Sequence, residues 1–79
     1  MVTLHREGGL RFVIFTDDHE PAHVHVIGDG SAKINLAGRD GLPELVRNDG
    51  LKAGDLRKAM RVVGKRQAAM LERWSAIHG

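Results

Sequence analysis

The sequence predicts a small α+β domain: a three- or four-stranded, mainly antiparallel sheet packed on one face by a single long C-terminal helix. Three observations carry that expectation. Residues 9–36 fall into short runs of strand-forming, alternating side chains separated by turn residues. Residues 53–77 change to a helical period. The chain has 79 residues, enough for one domain with one modest core, near the size at which a second copy or a partner often helps.

The elements follow in order. Residues 9–15, GLRFVIF, read as the first strand, with Leu10, Phe12 and Ile14 on one face and Arg11, Val13 and Phe15 on the other. Both faces are partly apolar, which places this strand inside the sheet. Residues 16–22 form a loop, since Pro21 bars regular helix or central strand there. Residues 23–27 and 31–36 read as two strands around Gly28-Asp29-Gly30, a hairpin signal.

The length of that loop decides the faces. A two-residue turn would pair His25 with Ile34 and mix polar with apolar. A three-residue loop pairs His23 with Asn35, Val24 with Ile34, His25 with Lys33 and Val26 with Ala32. The second register gives a polar face of His23, His25, Lys33 and Asn35, and leaves Val24, Val26, Ala32, Ile34 and Leu36 for the core. It is the expected one, with Gly30 in the left-handed position that such loops favour.

After a turn-rich connection, Glu44–Arg47 is a candidate fourth strand, ended by Asn48-Asp49-Gly50. From about residue 53 to 77, Leu56, Met60, Val63, Gln67, Met70, Trp74 and Ile77 recur at alternating four- and three-residue steps. Such spacing gives one stripe on one helix. Gly54 and Gly64 weaken it by about 1 kcal/mol each relative to Ala, so packing must hold it. Trp74, Met60 and Met70 are read as core.

Composition narrows the function classes. There is no cysteine, which excludes disulfides and thiolate metal sites. No apolar run approaches the roughly 18 residues a membrane span needs, and the first residues lack a signal-peptide core. The expectation is a cytoplasmic protein with no membrane role. The net charge of +2 hides an asymmetry: residues 1–50 hold five Lys/Arg against eight Asp/Glu, and residues 51–79 hold seven against two. Arg57, Lys58, Arg61 and Lys65 on the helix thus form a candidate surface for nucleic acid or an acidic partner, or else a solvated face.

The most informative stretch is Asp17–Val26, DDHEPAHVHV, which holds three of the five histidines. His23 and His25, two apart, leave the same face of a strand. Together with the preceding Phe15-Thr16, the hairpin into AKINL and the late Trp74, this stretch resembles the domain of unknown function family 4160 over nearly the whole chain. The family's acidic-His-x-Pro-x-His-x-His pattern falls on Asp18, His19, Pro21, His23 and His25. Ala22 stands where members often carry a second proline, a departure that alters loop stiffness more than chemistry. The resemblance implies a small bacterial protein whose family has no established activity. It also implies a partner of the domain of unknown function 2442 type, in a two-gene module of toxin–antitoxin kind.

Three readings of the histidines stay open. The first is metal-independent acid–base cleavage of RNA, with His23 and His25 moving protons and Lys33 stabilising phosphate charge. The second is a site for zinc or another transition metal, with His19, His23, His25 and Asp18 as ligands. The third is a non-catalytic interaction or regulatory module in which the rings are hydrogen-bonded fixtures. The expectation favours a component that binds a partner protein and RNA, without a cofactor and with homo-oligomerisation open.

Overall fold

The computed structural model describes residues 1–79. Five strands form one antiparallel meander: β1 (Val2–Glu7), β2 (Leu10–Ile14), β3 (His23–Ile27), β4 (Ser31–Asn35) and β5 (Glu44–Asp49), hydrogen-bonded in that order. Two helices follow, α1 (Ala53–Lys65) and α2 (Gln67–His78). No helix is long and apolar enough to cross a membrane.

The β3–β4 register is the expected one. His23 pairs with Asn35, Val24 with Ile34, His25 with Lys33 and Val26 with Ala32. The apolar set continues across β2, where Phe12 pairs with Val26. Leu10, Phe12, Ile14, Val24, Val26, Ala32, Ile34 and Leu36 join Ala59, Val62, Val63, Met70 and Trp74 of the helices in one buried cluster. Burial of apolar surface on this one face is what holds helix and sheet together.

Four expectations need correction. The sheet has five strands because residues 2–7, which were not expected to pair, form β1. The turn that makes this possible is Gly8-Gly9, both at positive φ (58° and 81°), the geometry that joins tightly paired antiparallel strands. A bulge between Thr3 and His5 lets Leu4 pack against the core while His5 leans on Phe12.

The single helix is divided at Arg66, whose φ of −108° and ψ of 15° leave the helical range. The Arg66 N–H still reaches the Val62 carbonyl and the Met70 N–H the Arg66 carbonyl, so the chain bends without unwinding. A straight helix over residues 53–77 would run roughly 37 Å; divided at Arg66, the two helices fit a domain whose greatest extent is 33 Å. Gly64 weakens helix just before the bend, and Gln67 just after it anchors the chain. Its Nε2 donates to the Leu36 and Gly41 carbonyls, both at 2.7 Å. The polar member of the apolar stripe is therefore a clamp on the connection between β4 and β5.

Gly30 does not take the left-handed conformation. It is needed for another reason: a Cβ there would collide with the backbone of Asp49 and Gly50, which lie alongside, Gly50 forming a bridge to Ser31. Finally, the histidine face is not open along its whole length. His23 is only 3% exposed.

Two glycines should respond in opposite directions. Gly30→Ala is expected to lower the unfolding free energy by about 2 kcal/mol, since a methyl is forced against backbone that cannot swing aside. Gly64→Ala, exposed in α1 with nothing within 4 Å of the added Cβ, is expected to raise it by about 1 kcal/mol. Urea titration reads both, and a stabilising Gly30→Ala would contradict the packing described.

Candidate functional site

The loop between β2 and β3 is built to deliver one carboxylate. Asp18 sits in a turn in which its N–H reaches the Phe15 carbonyl at 3.1 Å and its Oδ2 accepts the Phe15 N–H at 3.0 Å. These two bonds fix the side chain over the start of β3. The loop then passes through the cis Glu20–Pro21 bond into His23.

His23 is oriented at both ends of its ring. Nδ1 lies 2.9 Å from the Pro21 carbonyl, which can only accept, so Nδ1 carries the proton. Nε2 lies 3.4 Å from Asp18 Oδ2. In the neutral ring that nitrogen is a lone pair, and a lone pair would face a carboxylate oxygen. A positive charge between them, a proton or a metal ion, removes the conflict. The ring is closed in by His25 edge-on at 5.0 Å between centroids and by Trp74 at 5.1 Å. Trp74 is held in turn by its Nε1–H on Glu20 Oε1 at 3.3 Å and by His78 stacked at 3.8 Å.

His25 completes the group. Its Nε2 lies 3.4 Å from Asp18 Oδ1 and 3.3 Å from Oδ2. Its ring leans on Phe15, and its side chain is 20% exposed. Donor atoms of Asp18, His23 and His25 all lie within 4.8 Å of one another. Tetrahedral ligands about 2.1 Å from a zinc ion sit roughly 3.4 Å apart, and the N···O separations here match that spacing.

The electrostatics favour the protonation states that ligands need. Burial, the largest influence, pushes the His25 pKa below its ordinary 6.5, helped by His23 and Lys33 and opposed by Asp18. For Asp18, burial alone would raise the pKa. The Phe15 N–H and the two histidines outweigh it, and the carboxyl sits below its ordinary 3.8. A neutral imidazole and an ionised carboxylate face each other at neutral pH.

The structure thus brings together Asp18, His23 and His25, with Lys33 beside His25 across the strand pair. His19 is exposed and stands outside the cluster. Arg57, Arg61 and Lys65 are exposed on α1, which packs on the other face of the sheet, and Lys58 spends its Nζ on the Gly8 carbonyl at 3.4 Å. The helix cations and the histidines therefore do not form one surface. Two surface cavities of about 300 and 330 Å³ lie elsewhere, along β1 and α2 and around the Gly8-Gly9 turn.

Sequence reasoning missed the aromatic wall of Trp74 and His78. Their i, i+4 spacing near the helix end was the available signal. It named Asp18 in the ligand set but not the turn with Phe15 that aims it.

A family model described as Domain of unknown function (DUF4160) matches residues 9–75. The chain belongs to that family. The DUF4160 match spans β2 through most of α2 and includes all three clustered residues. No curated protein and no solved structure matches the chain.

The ionisation pattern sets a pH dependence for the metal-free protein. Both pKa values are lower in the folded state, so each contribution is present above the group's ordinary value and is lost as pH falls. Glu7, lowered by its hydrogen bond to His5, acts in the same direction. Thermal melts in chelator should show stability falling as pH drops below 6.5, with a further loss as Asp18 protonates below 3.8. A melting temperature that rises on acidification from neutral would contradict these environments.

Proposed function

We propose that this DUF4160 protein is a metal-binding domain whose centre is Asp18, His23 and His25. The observation that carries the reading is the convergence of two Nε2 atoms on one carboxylate at 3.3–3.4 Å. The His23 Nδ1–H on the Pro21 carbonyl supports it. Metal-bound histidines commonly donate the other ring N–H to a carbonyl or carboxylate, which fixes the ring and frees the ligating nitrogen.

Two imidazoles and a carboxylate suit zinc and other divalent transition ions. Three protein ligands leave at least one coordination position, which is the pattern of a reactive centre more than a structural one. A bound ion would supply Lewis acidity and a more acidic water there. Burial of His23 by Trp74 keeps one side dry, and the part-exposed His25 leaves the other side accessible. Lys33 next to His25 favours an anionic ligand at the open position.

The reading as a metal-independent ribonuclease draws on one observation, the neutral, part-exposed His25 beside Lys33. His23 weighs against it. A ring 3% exposed, with Nδ1 bonded to the Pro21 carbonyl and Nε2 turned against Asp18, cannot reach a phosphodiester without rearrangement. Membership of a two-gene module with a partner of the domain of unknown function 2442 type is a proposal about cellular context, resting on the family resemblance. A metal centre is compatible with it.

Metal analysis of untagged protein tests the reading. Near-stoichiometric zinc or another divalent ion is expected in the wild type. Asp18→Asn and His25→Ala, both at part-exposed positions, should each weaken binding at least about tenfold, while His19→Ala should not. A hundredfold excess of zinc over Kd should stabilise the wild type by about 2.7 kcal/mol. Protein that carries no metal and shows no thermal shift with zinc, cobalt, nickel or manganese would sink the proposal.

A further inference from the structure

The edge strand β5 is the least finished surface of the domain. All six of its residues are exposed. Leu42 at 62%, Leu45 at 38% and Val46 at 49% are three of the four exposed large apolar side chains, and they lie together on this edge. The other edge is better covered: Leu4 of β1 packs into the core, and Lys58 caps the following turn. An open strand edge with apolar side chains is a template for another strand.

Both edge strands carry a bulge, which ordinarily blunts an edge. On β5 the bulge has a second effect. Glu44 pairs with Asn35 and Arg47 with Lys33, so two residues three apart share the histidine face. In a regular strand they would point to opposite faces. The segment Glu44-Leu45-Val46-Arg47 is thereby self-complementary about its midpoint. A two-fold axis between Leu45 and Val46 sets Glu44 against the partner's Arg47 and Leu45 against the partner's Val46.

We propose that β5 pairs antiparallel with β5 of a second copy of this chain, joining two five-stranded sheets into one of ten strands. Charge complementarity selects this occupant. The two Glu44–Arg47 pairs flank two apolar pairs, and like charges are opposed nowhere among the four residues. Arg47 already bonds Asp49 through Nε at 2.7 Å, which pre-positions the guanidinium and leaves its other nitrogens for the partner. Pro43, which has no N–H, bounds the paired segment on one side, and on the other the side chain of Asn48 is tied to the backbone of Leu51. The two Asp18/His23/His25 centres then lie on one continuous face, although pairing does not depend on their binding metal.

Sedimentation of the wild type beside three variants tests the pairing. The wild type should be a dimer. Glu44→Arg and Arg47→Glu each oppose like charges and should weaken the dimer at least about tenfold. The double variant, Glu44→Arg with Arg47→Glu, restores opposite charges and should recover dimerisation. These positions are exposed, and circular dichroism is the check that each variant is folded. A wild type that stays monomeric at the highest concentration overturns the proposal. A dimer indifferent to the single substitutions, or not recovered by the double one, overturns it as well.

Discussion

The candidate site depends on the two-residue period of β3. Five residues, His-Val-His-Val-Ile, send valines one way and imidazoles the other. Val24 and Val26 are wholly buried between Phe12, Ile34 and the helices, so they hold the strand in place. A slip of one residue would bring the imidazoles into the core and expose the valines. The same burial that stabilises the fold thus aims two Nε2 atoms at a common point. The site costs little extra order, because the core has already fixed its backbone.

What β3 cannot supply is the third donor and the wall. Asp18 comes from a loop, held by a reciprocal pair of bonds with Phe15. The wall comes from the far end of the chain. Beyond the break at Arg66, α2 brings Trp74 to the start of β3, where Glu20 takes the Trp74 N–H and the indole closes over His23. The helix bend is therefore part of the site's construction and not only of its packing.

Legibility followed the range of the interactions. The β3–β4 register was readable, because only one loop length separates polar from apolar faces, and so was the helix stripe. β1 was harder: its six residues hold one weak alternation, and their strand character comes from pairing with β2 and packing of Leu4. Gly30 was placed in the right loop for the wrong reason, since its constraint comes from Gly50, twenty residues away. Asp18 could be named as the carboxylate of the candidate ligand set, but how it is aimed could not be read, because a turn and not a periodic element aims it. Of the basic residues of α1, Arg57, Arg61 and Lys65 are exposed, while Lys58 is part-buried against Gly8. That this stripe lies across the sheet from the histidines required the three-dimensional packing.

The central claim is that both Nε2 atoms bind one ion together with Asp18. Imidazole nitrogen NMR of isotope-labelled histidine, with and without zinc, tests this most directly. The account predicts that Nε2 of His23 and of His25 shift together on zinc addition, that Nδ1 of His23 stays protonated, and that His19 does not respond. If neither ring responds, or if His19 alone does, the centre described here is not a metal site.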